Sequence, residues 1–252
     1  MQRYYPFISA LLYGLTIYVN YLSTALPLNG YTPAQLSDLY PNLFVPAGVT
    51  FSIWGLIYLL LLIFIIKHAY HLWRADQQMI ELFSTISPIF WLTCLLNMGW
   101  IFAWHYQFIW LSVLVMILFL ITLIKIHPLV RNQASALIRL PFSIYLGWIS
   151  VALIANVTTA LVSINFKTME VFFAVMVMAT ACVLGMLFVK KYNDLAYASV
   201  ILWAFMGIFI KQLTIPSGNL TILSLACFFA VILFIFALYI NLTPKAQKVT
   251  GT

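Results

Sequence analysis

The chain alternates between long apolar runs and short connections that carry most of its charged residues. Crossing the hydrocarbon core of a bilayer, about 30 Å thick, takes about 20 apolar residues in an α-helix. The runs therefore predict eight membrane-spanning helices, roughly at 7–26, 46–66, 84–104, 108–125, 140–162, 169–189, 195–213 and 220–241. Because the runs are continuous and do not alternate between apolar and polar residues, they exclude a β-barrel.

Composition supports the same class of protein. Of the 252 residues, 65% are hydrophobic and 7% are charged, and the mean hydropathy is +1.06. Soluble domains are about one quarter charged, so a soluble fold of this composition would lack a polar surface. We therefore predict an all-α integral membrane protein, a bundle of about eight transmembrane helices. The first run, after Arg3, is long enough to span and is predicted to be a retained helix, not a cleaved signal peptide.

The basic residues predict the orientation of the helices. With the N-terminus in the cytosol, ten of the twelve Lys and Arg residues fall on the cytosolic side, and only Lys167 and Lys211 fall outside. This bias follows the positive-inside rule. We therefore expect cytosolic N- and C-termini and a bacterial cytoplasmic membrane location. The net charge of +7 then reflects contact with the lipid bilayer, and no soluble domain presents a basic cluster for nucleic acid.

Polar and aromatic residues recur at helical spacing inside three of the predicted spans. Asn97 shares one face of the third span with Trp100 and Trp104, and Asn156 shares a face of the fifth span with Trp148. The second span carries a residue of this kind at every fourth position: Pro46, Thr50, Trp54 and Tyr58. A polar side chain in lipid needs a partner, so these residues either join packed helices or line a pocket.

The positions of the tryptophans favour the pocket. Trp100 and Trp148 lie several residues inside their spans, where an aromatic wall with a few hydrogen-bonding groups is typical of a small-molecule site. Trp residues near span ends fit the aromatic belt at the membrane interface and need no ligand. We interpret four residues in this way: Trp73, Trp91, Trp104 and Trp110.

Three short motifs carry a family resemblance. They read FSIWGLIY in the second span, LLNMGW in the third and IYLGWISVALIAN in the fifth. They are similar to the motifs of the tryptophan-rich sensory protein family, also called TspO/MBR or translocator protein. The similarity extends to the order of the motifs along the chain, the helix that carries each one, and the spacing of residues within each. The matching residues are Trp54, Tyr58, Leu96, Asn97, Trp100, Tyr145, Trp148, Ala152 and Asn156. The resemblance covers a five-helix unit, residues 1–165.

The resemblance implies a pocket beneath the loop that joins the first two spans, where the family binds porphyrins, sterols and related hydrophobic ligands. The ligand-binding residues would be Trp54, Tyr58, Asn97, Trp100, Trp148, Ala152 and Asn156. The chain departs from the family by adding a three-helix extension with a short cytosolic tail, residues 166–252. Ile144 occupies the position of the proline in the fifth-span motif. The outer connection 27–45 is a candidate lid, with a plain connector as the alternative.

Other classes of function have weaker support. The five acids, Asp38, Asp76, Glu81, Glu170 and Asp194, lie near span ends and are divided between the two sides, so a catalytic cluster is not expected. His68 and His71 are placed in a cytosolic loop, where they form a spaced pair but have no evident third ligand, and no metal site is predicted. A transporter is the serious alternative, because spans interrupted by Pro and Gly suit alternating access.

We therefore predict a non-enzymatic membrane protein that binds or senses a hydrophobic, ring-containing molecule such as a porphyrin or a sterol-like lipid. No cofactor is required. The alternative is a transporter of small solutes or lipids that uses the same cavity. Gly48 and Ser52 form a small-residue face that would suit a homodimer, unless the additional helices cover it.

Overall fold

The computed structural model describes residues 2–26, 28–166, 170–215 and 218–242. These residues contain eight helices that are long and apolar enough to span a membrane, and no strand. The α-helices are α1 (Tyr5–Ala25), α2 (Pro33–Asp38), α3 (Ile53–Trp73), α4 (Gln77–His105), α5 (Ile109–Val130), α6 (Ala136–Ser163), α7 (Glu170–Tyr192), α8 (Leu195–Thr214) and α9 (Leu220–Leu242). The predicted all-α, multi-pass membrane fold is confirmed. The predicted tail and Lys167 lie outside the described residues.

Two spans begin at residues that differ from the prediction. The apolar pattern predicts that the second span begins at residue 46, but a 3₁₀ helix, Gly48–Ser52, precedes α3. Of the four residues at four-residue spacing, Pro46, Thr50, Trp54 and Tyr58, only Trp54 and Tyr58 therefore lie in the α-helix. α4 begins earlier than predicted because the Asp76 carboxylate accepts a hydrogen bond from the Met79 N–H and caps the helix. α3 also continues to Trp73, so the two predicted loop histidines are helical.

α8 joins the C-terminal helices to the rest of the bundle. α6 is the most buried of the described spans, and it packs against α3, α5 and α8. At Gly147, α6 and α8 come close together: an added Cβ would lie 3.0 Å from Val200 Cβ and 3.1 Å from the Tyr197 carbonyl oxygen. α7 and α9 then pack on α8 and on each other.

Near one end of α8, the helix binds the segment that leads into α3. The Ala47 N–H donates to the Gly207 carbonyl at 3.0 Å, and Trp203 Nε1 donates to the Thr50 carbonyl at 2.9 Å. We call these four residues the outer junction. A Cβ at Gly207 would overlap Thr50 Oγ1, so the approach depends on glycine.

Polar side chains join α5, α6 and α8 at the opposite end of α8. Asp194 Oδ2 accepts hydrogen bonds from His127 Nε2 at 2.9 Å and from Ser143 Oγ at 2.7 Å, and Oδ1 caps α8 by accepting from the Tyr197 N–H. Burial alone raises the pKa of the Asp194 carboxyl. The hydrogen bonds from these three partners outweigh burial and hold the pKa below its ordinary 3.8.

The described basic residues are concentrated at one end of the bundle, which we call the basic end. It carries Arg3, Lys67, Arg74, Lys125, Arg131, Arg139, Lys190 and Lys191. At the other end, Lys211 forms an ion pair with Asp38 of α2, with Nζ 3.2 Å from Oδ1. The asymmetry is the one that the sequence predicted, and placing the basic end in the cytosol stays a prediction.

Gly207→Ala tests whether the outer junction stabilises the fold. The new methyl group would overlap Thr50 Oγ1 and lie 2.7 Å from Pro46 Cβ, so we expect a loss of about 1–3 kcal/mol in the free energy of unfolding. Thermal unfolding of the detergent-purified protein measures it. Gly55→Ala is the matched control, because a Cβ at Gly55 meets no atom within 4 Å. Equal stability in the two variants would contradict the assignment.

Asp194→Asn tests the junction at the basic end. A carboxylate whose folded pKa is depressed stabilises the protein above its unfolded pKa, and that contribution is lost as the pH falls through the folded value. The variant should therefore unfold at a lower temperature than wild type at pH 7, and the difference should shrink as the pH falls below 3.8. Asp76→Asn, at a more exposed carboxylate, should change the unfolding temperature less. A difference that does not depend on pH would contradict this account.

Candidate functional site

Trp54 lies at the centre of an aromatic cluster built from three helices. Its ring stacks on Tyr58 of α3, with centroids 5.5 Å apart, and on Trp100 of α4 at 6.3 Å. From α6, Tyr145 and Trp148 meet it edge-on at 5.9 and 6.3 Å. Offset-stacked and edge-on arrangements are the favourable geometries for aromatic pairs. The sequence motifs therefore come together in space as one cluster.

Trp54, Trp100 and Phe51 form a wall between two cavities. The inner cavity has a volume of about 40 Å³ and lies towards α6, where Trp148, Ala152 and Asn156 line it. The outer cleft has a volume of about 520 Å³ and lies between α1, α3 and α4 beneath the residues that begin α2. The three wall residues line both cavities, so the same rings bound each of them.

Three side chains that line the inner cavity each carry a buried polar atom with no hydrogen-bond partner among the described residues. The indole Nε1 atoms of Trp100 and Trp148 and the Thr159 Oγ1 are buried, and none has a hydrogen-bond partner among the described residues. Asn156 is different, because its amide and the Ser112 hydroxyl bond to each other at 2.8 and 3.0 Å. Two indole donors and a hydroxyl among the lining side chains therefore remain unpaired within the described residues.

The outer cleft combines aromatic faces with the polar side chains of α1. Trp54, Tyr58 and Trp100 supply the aromatic side, and Asn20 and Thr24 lie across from them. Gly48 and Ser52 also line the cleft and are exposed, since α8 packs on the opposite side of this segment at Thr50. The small-residue face therefore stays uncovered by the described extension, and a homodimer through it stays a prediction.

A network of hydrogen bonds centred on Asn97 lies behind the wall. Asn97 Oδ1 accepts from Asn20 Nδ2 at 2.7 Å, and its Nδ2 donates to the hydroxyls of Tyr145 at 3.1 Å and Tyr58 at 3.4 Å. The Tyr13 hydroxyl donates to the Tyr58 carbonyl at 2.9 Å. The network ties α1, α3, α4 and α6 together, and it fixes both tyrosines that contact Trp54.

Six of the seven residues predicted to bind ligand line one of the two cavities. Asn97 is the exception: it is fully buried, lines neither cavity, and has protein partners on both amide atoms. Its position supports the wall from behind.

One tryptophan assigned to the interfacial belt belongs to the site. Trp104 is 5% exposed, lines the inner cavity and stacks on Trp100 at 6.0 Å. Its spacing of four residues from Trp100 was the signal that placed it on the same helix face. Ser112 and Asn20 were also missed, although each is a polar residue within an apolar run.

The described residues contain no group of three or more His, Cys, Asp or Glu side chains that could hold a metal ion. His68 and His71 point to different partners. His68 stacks on Phe83 with ring centroids 4.8 Å apart, whereas His71 Nδ1 lies 3.0 Å from Asp76 Oδ2. The spaced histidine pair therefore contributes to packing and to a hydrogen bond with Asp76.

Eight apolar spans with an aromatic-lined site between them define a membrane-embedded binding or sensing protein. The profile of the family described as TSPO-like protein matches residues 6–239, which is most of the chain. The chain therefore belongs to the TSPO-like family, and the match confirms the resemblance carried by the three motifs. The match continues through the additional C-terminal helices. No curated protein and no solved structure matches the chain.

Asn97→Leu tests the network behind the wall. The substitution would leave the Asn20 amide and two tyrosine hydroxyls without their partner, so we expect the free energy of unfolding to fall by about 1–3 kcal/mol. Thermal unfolding followed by near-ultraviolet circular dichroism reports both stability and the packing of the Trp54 cluster. Asn241→Leu is the control, since this exposed amide bonds only to a carbonyl of its own helix. No difference between the variants would contradict a role for the network.

Proposed function

We propose that the protein binds or senses a hydrophobic, ring-containing small molecule, of the porphyrin or sterol-like class, in the outer cleft. The observation that carries the proposal is the wall of Phe51, Trp54 and Trp100, with Tyr58 beside it, along a cleft of about 520 Å³. Small-molecule sites typically measure about 300–1,000 Å³ and are lined mainly by apolar and aromatic side chains. The inner cavity, at about 40 Å³, is too small for a ring system.

Binding would rest on apolar burial and ring stacking. Burial of apolar surface contributes about 25 cal/mol per Å², and an aromatic pair adds about 0.5–1.5 kcal/mol. A flat ring lying in the cleft would stack on the wall that Trp54 and Trp100 form. Entry from the bilayer suits this position, because Tyr21 of α1 lines the cleft and, like its neighbour Tyr18, is exposed.

Besides an apolar ring that stacks in the outer cleft, the inner cavity suggests that the ligand carries a hydrogen-bond acceptor. A carbonyl or carboxylate substituent that passes the wall would accept hydrogen bonds from the indole N–H groups of Trp100 and Trp148. Those groups lack partners among the described residues, and a buried unpaired donor is costly. We therefore favour ligands that join an apolar ring to at least one acceptor group, which porphyrins and oxidised sterols do.

The packing below the cleft favours binding or sensing over transport. The Asn97 network closes the bottom of the site, and beneath it four phenylalanines fill the space between α3, α4 and α6. These residues are Phe64, Phe83, Phe90 and Phe142, and each is fully buried. A transporter has to open its cavity to both sides in turn, and opening this site towards the basic end would require the four buried rings to separate. We also propose that the protein acts without catalysis, as the predicted separation of its acids suggests.

Quenching of tryptophan fluorescence by protoporphyrin IX tests the proposal in the purified full chain. We expect saturable quenching, with Trp54→Ala and Trp148→Ala each weakening affinity at least about tenfold, which corresponds to about 1.4 kcal/mol. A sterol added as competitor reports whether both ligand classes share the site.

Trp73→Ala is the matched control, because this residue is 78% exposed and lies at the basic end. It should leave the affinity unchanged. Equal effects of all three substitutions would indicate adsorption to the membrane-facing surface and would overturn the proposal. Protein-dependent accumulation of porphyrin inside sealed vesicles would favour the transporter instead.

A further inference from the structure

Two further cavities lie together at the basic end, far from the aromatic site. One measures about 270 Å³ and lies between the start of α6 and the turn that joins α7 to α8. The other measures about 330 Å³ and lies between the end of α5 and the end of α7. Arg131 and Tyr192 line both, so the two cavities lie side by side, and we call the two together the depression.

Three cations line this depression without a matching anion. Arg131, Arg139 and Lys191 form no ion pair within the described residues. The one acid in the lining, Asp194, is already bonded to His127, Ser143 and a backbone N–H. The depression therefore keeps an excess of positive charge. A bound anion would supply the counter-charge that the protein does not.

Arg131 is held in place and incompletely paired. Its guanidinium carbon lies 4.8 Å from the centroid of the Tyr192 ring, and Lys191 Nζ lies 5.1 Å from the same centroid. Both distances fit cation–π contacts. The Arg131 Nε is buried and has no hydrogen-bond partner in the part of the chain that the structure describes. Its planar fork suits a phosphate group, which accepts two hydrogen bonds in parallel.

Below the cations, the wall of the depression is apolar. Ile124 and Pro128 of α5, Leu146 of α6 and Phe188 of α7 line the cavity on the side of the bilayer. The cations lie at or just beyond the ends of spanning helices, which is the depth of lipid headgroups. One depression thus presents charge at headgroup depth and hydrocarbon beneath it.

We propose that this depression binds an anionic phospholipid, with its phosphate at Arg131, Arg139 and Lys191 and an acyl chain along Leu146 and Phe188. Basic pockets between spanning helices suit anionic headgroups, and each nearby Lys or Arg adds to the attraction. A soluble phosphate would satisfy the same cations but would leave the apolar wall unused. The lipid would contact α5, α6 and α7 together, beside the Asp194 junction.

Native mass spectrometry of the delipidated full chain tests this site. With equal amounts of phosphatidylglycerol and phosphatidylcholine, we expect wild type to retain phosphatidylglycerol preferentially. Arg139→Gln combined with Lys191→Gln should weaken its binding about tenfold or more. Both side chains are exposed, so the double variant should fold, and an unchanged thermal unfolding temperature in lipid-free detergent verifies it.

Two controls separate lipid binding in the depression from general charge attraction and from the binding of soluble anions. Lys67→Gln combined with Arg74→Gln removes the same charge from the same end but from outside the depression, and it should leave binding unchanged. Equal weakening in both double variants, or no lipid preference in wild type, would overturn the site. Glycerol phosphate at matched concentration should not displace the lipid. Displacement as effective as by added phosphatidylglycerol would assign the depression to soluble anions and overturn the lipid assignment.

Discussion

A polar group inside the hydrocarbon needs a partner, and the Asn97 amide meets this constraint by binding three side chains from three other helices. Two of those partners, Tyr58 and Tyr145, contact the ring of Trp54. The position of the aromatic wall therefore depends on hydrogen bonds that the wall itself does not make. Polar pairing fixes the site, and apolar packing fills the space around it.

Hydrogen bonds between polar groups also hold α8 near both of its ends. Away from the basic end, the Gly207 carbonyl accepts from the Ala47 N–H and the Trp203 indole donates to the Thr50 carbonyl. At the basic end, Asp194 binds side chains of α5 and α6. Close packing along Gly147 and Gly207 brings the helix near enough for these bonds. The C-terminal helices are thus attached to the segment that precedes Trp54 as well as to the centre of the bundle.

The sequence predicted the features that depend on local pattern. Hydropathy located eight spans because each span is a continuous run, and motif spacing brought Trp54, Trp100 and Trp148 to one site. Contacts between distant residues could not be predicted in this way: Trp203 bonds to Thr50 across 153 positions of the chain. For the same reason, the separation of the site into two cavities came only from the packing of helices against one another.

The Gly207 carbonyl accepts the Ala47 N–H, so a helix from the C-terminal third holds the backbone that leads to the aromatic wall. A fragment ending after α6 would keep all the aromatic residues of the site and would lose this support. A piece of the chain that keeps these backbone contacts therefore has to include α8. Division at residue 165, natural for the motifs, would separate Ala47 and Thr50 from their hydrogen-bond partners Gly207 and Trp203.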